Sequence, residues 1–193
     1  DALPIYMLMR FASVSKLITA VGIMKLQEMK KLKLNEKVFG PKGILNDTTY
    51  NNGIKDQRYY DITVEQLLRH QAGFNNYAGD PVSSTRYIMM QNRLTTPPDH
   101  KTLLRILLKR HLGYTPGQGK CYSNLGYMIL SMIIEKKSGM KYENFMQKYV
   151  LQPAGCYDMH IAGTYLKDRR PNETKYYMHQ GSIPVYEYNN SGR

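Results

Sequence analysis

Ser13 and Lys16 stand three residues apart at the start of an apolar-periodic run, Phe11-Ala12-Ser13-Val14-Ser15-Lys16-Leu17. On a helix, residues three apart share a face about a turn from each other, so the Lys16 amine can reach the Ser13 hydroxyl. The pair has the chemistry of a nucleophile and its base. A serine in the first helical turn also gains from the unpaired N–H groups there, which favour the charge that develops as a hydroxyl attacks a carbonyl. The lysine must act as a free amine. Its ordinary pKa is roughly 10.4, and burial or a neighbouring cation would have to lower it. The plainer alternative has Ser13 as a helix cap and Lys16 in solvent. A second Ser-x-x-Lys, Ser138-Gly139-Met140-Lys141, falls where a helix stops, whereas Ser13 opens a long one.

The elements that must hold this pair follow from periodicity and breakers. Ser13 to about Lys33 reads as a helix with Leu17, Ile18, Val21 and Met24 facing inward and Lys25, Lys30 and Lys31 outward. From Leu34 to Asp61, Gly40-Pro41, Gly43 and Asn51-Asn52-Gly53 mark loop and turn. Thr63-Val64-Glu65-Gln66 is a capping box opening a short helix through Leu67, Leu68 and His70, stopped near Gly73. Residues 75–99, with Asp80-Pro81 and Pro97-Pro98, read as an inserted surface lobe with some helix around Arg86 to Gln91. Leu103, Leu104, Leu107 and Leu108 define another helix, ended by Gly113 and the Pro116-Gly117 turn. The clearest helix carries Leu125, Met128, Ile129, Met132 and Ile133 on one face and stops before Gly139. Tyr142 to Val150 forms one more, closed by Gln152-Pro153, and the tail from Ala162 to Arg193 has no clear period.

Composition bounds the rest. With 193 residues and 42% hydrophobic content, the chain suits one packed domain. Its net charge is +12, but the lysines and arginines form no block of five or six, so no nucleic-acid partner is expected. Cys121, Cys156 and the five histidines fit no ligand spacing, so neither metal nor cofactor is expected. No apolar stretch of about 18 residues exists to span a membrane. Neither a Gly-x-Ser-x-Gly elbow nor a phosphate loop occurs; Gly117-Gln118-Gly119-Lys120 lacks the spacing. The first residues lack the marks of a signal peptide, and a nucleophile only a dozen residues in suggests that the chain begins inside a domain.

Three motifs occur in order: Phe11-Ala-Ser-Val-Ser-Lys-Leu-Ile-Thr19, Thr63-Val-Glu-Gln-Leu-Leu-Arg-His-Gln-Ala-Gly73 and Pro116-Gly-Gln-Gly-Lys-Cys-Tyr-Ser-Asn-Leu-Gly-Tyr127. Their order and spacing resemble the serine β-lactamase-like and penicillin-binding-protein-like family, nearest to class C β-lactamases, D-alanyl-D-alanine peptidases and esterases. Ile133 to Gly139 and Leu151-Gln-Pro-Ala-Gly155 extend the resemblance, which covers roughly residues 10 to 160. It implies that Ser13 is the acylated nucleophile, Lys16 its proton acceptor, Tyr122 the proton-shuttling tyrosine of a Tyr-x-Asn motif, and Asn124 the asparagine that holds the lysine and the substrate amide. A phenol ordinarily ionises near pH 10, and an adjacent ammonium stabilises the phenolate, so Tyr122 and Lys16 can trade a proton. Taken singly, Tyr122 could equally be a half-buried aromatic and Asn124 a helix N-cap. His70 matches a family position whose role is structural.

The implied fold is α/β (α+β), of the serine β-lactamase/transpeptidase type, with helices on an antiparallel sheet. The family's third motif, Lys-Thr-Gly or His-x-Gly, has two imitations here, Lys137-Ser138-Gly139 and His179-Gln180-Gly181. The first falls at a helix end, and the second comes too soon after Asn124. The expectation is therefore a single incomplete domain over 1–193: mainly the helical part, with an incomplete sheet lacking strands before residue 1 and after residue 193. The implied function is a serine hydrolase acting through an acyl-enzyme on a β-lactam, a D-alanyl or peptidoglycan peptide, or a small ester, in a periplasmic or secreted setting. The alternative is a non-catalytic module that binds cell-wall peptide or a protein.

Overall fold

The computed structural model describes residues 6–75, 80–163 and 166–176. They fall into two compact units, a larger one within residues 16–157 and a smaller one made of the described residues before 16 and after 157. In the larger unit the chain forms α1 (Ser15–Glu28), α2 (Thr48–Asn51), α3 (Val64–Leu68), α4 (Thr85–Gln91), α5 (His100–Leu107), α6 (Asn124–Ser138) and α7 (Tyr142–Met146). Helix α6 packs against α3, α5 and α7, and α2 packs against α5. Its Ile129, Leu130, Ile133 and Ile134 are fully excluded from water, so α6 is buried on more than the single face predicted, and Met132 is only half-buried. Leu67 of α3, Leu104 of α5, Phe145 of α7 and Ile62 complete the same core. Each such side chain contributes about 1.5–3 kcal/mol relative to exposure.

Local signals account for most helix ends. Thr63 and Gln66 form the reciprocal capping box of α3, and the Asp99 carboxylate caps α5 by accepting from Thr102 N at 2.7 Å. Gly139 (φ 70°) closes α6 in the left-handed region, where glycine has no side chain to clash. Helix α7 continues as a π-turn over Gln147–Leu151 and a 3-10 turn over Gln152–Ala154.

Helix α1 departs from the sequence reading at both ends and on its buried face. It begins at Ser15, because Ala12–Val14 forms a 3-10 turn with Ala12 at φ 46° and the Ser15 hydroxyl donating to the Ala12 carbonyl. It ends at Glu28 instead of continuing to Lys33. Lys30 (φ 57°) takes the left-handed position, with Lys30 N bonded to Gln27 O and Lys31 N to Leu26 O, both at 2.9 Å. A non-glycine residue there costs about 1–2 kcal/mol, so composition gave no sign of the stop. The buried stripe is Thr19, Gly22, Ile23 and Leu26. Leu17, Val21 and Met24, predicted inward, are 70%, 47% and 47% exposed. Two contacts with α7 set that rotation. The Thr19 and Tyr142 hydroxyls meet at 2.8 Å, and Gly22 sits so close that a Cβ would lie 2.6 Å from Met146 Sδ.

Residues 34–62 are largely irregular, held by the bridges Lys37–Thr63 and Phe39–Leu45 and by the buried Asp56 carboxylate. Asp56 accepts from Leu112 N at 3.0 Å, Arg58 N at 3.1 Å and Arg58 Nη2 at 2.7 Å. In the smaller unit Leu8 bridges Glu173, and Arg10 Nε donates to Glu173 Oε1 at 3.2 Å. Among the described residues no strand extends beyond isolated bridges, so the predicted partial antiparallel sheet is not seen there. No described helix is long and apolar enough to cross a membrane.

Candidate active site

The Tyr122 segment is laid down by α3 and its exit. Helix α3 ends with Gln71 N bonded to Gln66 O at 2.7 Å and His70 N to Leu67 O at 3.2 Å, which leaves His70 in the left-handed region at φ 59°. Residues 70–73 then pair with 113–123. Gly113 N donates to Gly73 O and Gly117 N to Gln71 O, both at 2.8 Å, and Cys121 N donates to His70 O at 3.0 Å. The next alternate amide, Ser123 N, donates to His70 Nδ1 at 3.1 Å.

Ser123, not Asn124, caps α6, its hydroxyl accepting from Gly126 N at 3.0 Å. Asn124 is thus the first helical residue. Its amide donates to Asp80 Oδ2 at 2.8 Å, and its side-chain Nδ2 lies 3.5 Å from the Ser83 hydroxyl. Residues 80–83 belong to the segment predicted as a surface lobe, so that lobe reaches the start of α6. The second Asp80 oxygen accepts from Val82 N at 3.0 Å, an Asx turn.

Lys16, in the first turn of α1, is half-buried and extends toward the same place. Its Nζ lies 4.8 Å from the centre of the Tyr122 ring and 5.8 Å from that of Tyr127. The amine and the phenol therefore meet over the ring face, a cation–π arrangement that is strengthened where water is excluded. Tyr122 is 47% exposed, so one side remains open to solvent. Tyr127 donates to Leu68 O at 3.1 Å, and burial, with Tyr122 nearby, pushes its phenol up. Burial and then the Lys16 and Lys120 charges hold the His70 imidazole below its usual range.

Of the four residues singled out from sequence, the structure gathers Lys16, Tyr122 and Asn124 in the larger unit. Ser13 lies in the exposed 3-10 turn Ala12–Val14 of the smaller one, whose boundary falls between Ser15 and Lys16. Sequence reasoning missed Asp80, Tyr127 and the ring acceptor of His70. Asp80-Pro81 gave a turn signal but no hint of a partner 44 residues on. Lys137-Ser138-Gly139 closes α6 as expected, and His179-Gln180-Gly181 lies outside the described residues. Cys121 and Cys156 are free thiols. No cluster of three or more metal-binding side chains occurs among the described residues.

Known proteins resemble this chain in both sequence and shape. Penicillin-binding protein 4* of Bacillus subtilis (strain 168) is 28% identical over 171 residues, covering 88% of this chain and 34% of that protein. Protein flp of Staphylococcus aureus (strain MRSA252) is also 28% identical, over 90% of this chain and 32% of its own length. The chain thus spans about a third of the curated relatives it matches. Among solved structures, a D-stereospecific amidohydrolase from Streptomyces sp. superposes with a TM-score of 0.65 at 23% identity, covering 89% of this chain and 50% of that one, and so shares its fold. The octameric penicillin-binding protein homologue from Pyrococcus abyssi gives a TM-score of 0.55 at 26% identity, covering 90% of this chain and 37% of the other. The description Beta-lactamase matches residues 7–193, nearly the whole sequence, and at that level the question is closed: this chain belongs to the beta-lactamase family.

Proposed function

We propose that this chain carries the nucleophile and base of a serine hydrolase that cleaves an amide or ester through an acyl-enzyme. The observation that carries the reading is the Lys16 ammonium 4.8 Å above the Tyr122 ring, joining two motifs 106 residues apart in a member of this family. In the proposed reaction Ser13 Oγ attacks the carbonyl carbon while its proton passes to the Lys16 amine. Collapse of the tetrahedral adduct breaks the carbon–nitrogen or carbon–oxygen bond, and the proton moves to the leaving group, leaving a Ser13 ester. Water attacks that ester, releasing the acid and restoring the hydroxyl. Tyr122 is assigned to the proton relay with Lys16 and Asn124 to the substrate amide. The substrate class is a β-lactam, a D-alanyl peptide or a small ester.

The test is covalent labelling of the chain with a fluorescent penicillin and, in parallel, a fluorophosphonate, read by intact mass and peptide mapping. The expected result is one adduct on Ser13, lost in Ser13→Ala and slowed about 100-fold or more in Lys16→Ala, the scale of losing a general base. No adduct, or an adduct that survives Ser13→Ala, would overturn the reading in favour of a binding module.

A further inference from the structure

We propose that His70 is a positioning residue: its ring and its carbonyl together pin the peptide on both sides of Tyr122 and hold that phenol against Lys16. The inference rests on the hydrolase reading for its functional meaning but not for its geometry. His70 occupies the left-handed position after α3, where α6 uses Gly139. Glycine would satisfy that backbone without strain, so what histidine adds is its side chain.

Both the backbone carbonyl and the ring of His70 are engaged. The His70 carbonyl accepts from Cys121 N at 3.0 Å and from the Tyr114 hydroxyl at 3.2 Å, and Nδ1 accepts from Ser123 N at 3.1 Å. The amides flanking Tyr122 thus both end on one residue. The imidazole also stacks on Tyr122 (centroids 4.8 Å, planes at 35°) and on Tyr127 (5.1 Å, 39°), the same two rings that carry the Lys16 ammonium. Lys16 from α1, Lys120, Cys121 and Tyr122 from the paired segment, Tyr114 at its start and Tyr127 from α6 are the titratable groups around it.

An acceptor at Nδ1 requires a neutral ring with its proton on Nε2. Protonation would set an N–H against the Ser123 N–H and release the peptide. Burial and the two ammonium groups oppose that protonation. The sign follows: with the folded pKa below the unfolded value of roughly 6.5, the arrangement is intact above that pH and is lost as pH falls through the folded pKa.

The experiment follows the His70 ring nitrogens and the Ser123 amide by NMR across an acid titration of the full chain, alongside Ser13 labelling rates. The expected result is an unprotonated Nδ1 at neutral pH and a Ser123 amide that titrates with the same midpoint as His70, below 6.5. His70→Phe, which keeps a ring but no acceptor, should label about tenfold or more slowly, the cost of one orphaned amide. His70→Gly, at home in the backbone, should fold and show the same slowing. His70→Asn, which tolerates the left-handed region and offers Oδ1 near the Nδ1 position, should recover most of the rate and lose the His70 limb of the pH profile. A Ser123 amide indifferent to His70, or His70→Phe and His70→Gly labelling at the parent rate, overturns the proposal while leaving the hydrolase reading standing. The coupled titration without any Ser13 adduct does the reverse: it retires the hydrolase and upholds the positioning.

Discussion

Replacing Asp80 by alanine should loosen the start of α6 and with it Asn124. The carboxylate serves two amides through two different oxygens, Asn124 N at 2.8 Å and Val82 N at 3.0 Å. A hydrogen bond to a charged acceptor contributes about 1.5–3 kcal/mol, and the half-buried setting places this one at the lower end. Removing a negative charge from the first turn of α6 adds roughly 0.3–1 kcal/mol. The Val82 amide regains water at little further cost. Asp80→Ala should therefore cost about 2–3 kcal/mol. Asp80→Asn leaves one carbonyl oxygen for two amides and should cost about half as much. For a chain of this size each kcal/mol lowers Tm by about 2–4 °C, so the alanine variant should melt roughly 4–12 °C below the parent. Thermal unfolding followed by circular dichroism reads the loss, and the Asn124 amide resonance reports whether the helix start has moved. Equal losses for the two variants, or an alanine variant within about 0.5 kcal/mol of the parent, would refute the argument that residues 80–83 are fastened to α6.

Asp56→Ala should cost about 2–4 kcal/mol at neutral pH, since it orphans the Leu112 amide and uncaps the turn at Gln57. Hydrogen bonds from Arg58 and Leu112 hold the Asp56 carboxyl well below its usual range. Its stabilisation is therefore complete above pH ~4 and shrinks as pH falls further, so urea midpoints of parent and variant should converge in acid. Lys30→Gly should raise stability by about 0.5–1 kcal/mol by relieving the left-handed lysine, measured as a higher Tm. Val21→Lys and Met24→Lys should stay within about 0.5 kcal/mol of the parent, whereas Ile23→Ala and Leu26→Ala should each cost about 2–4 kcal/mol in chemical denaturation. The opposite ranking would restore the other face of α1 as the buried one.

Much of the helical layout was legible because independent signals agreed. In α6 the apolar period and Gly139 point the same way; in α5 the leucine spacing marks the helix, but it ends at Leu107, ahead of the Gly113 stop expected from sequence. Helix α1 was read wrongly where signals conflict: Leu17, Ile18, Ala20, Val21, Ile23, Met24 and Leu26 surround the axis almost evenly, so hydrophobicity alone cannot choose a face. The choice was made by Thr19, which finds a hydroxyl partner on α7, and by Gly22, whose missing Cβ lets α1 approach Met146 of α7. The family resemblance implied that Lys16, Tyr122 and Ser13 work together; the Lys16 Nζ lies 4.8 Å from the Tyr122 ring centre, and the roles of the three remain the proposal made above. The Asp80 bond to Asn124 and the His70 ring acceptor were not anticipated, because each joins residues more than 40 apart that carry no local pattern.

Gly22 has one more implication. Helix α1 rests on the Met146 sulfur at a point where even a methyl group would collide, and Lys16 rides on the same rod six residues away, roughly 9 Å at about 1.5 Å per residue. A Cβ at Gly22 would press on the flexible end of the Met146 side chain and on Ile134 Cδ1, so the methionine is the first group that has to give way. The seat of α1 beneath Lys16 is thus set by a missing methyl on one helix and a side chain able to yield on the other.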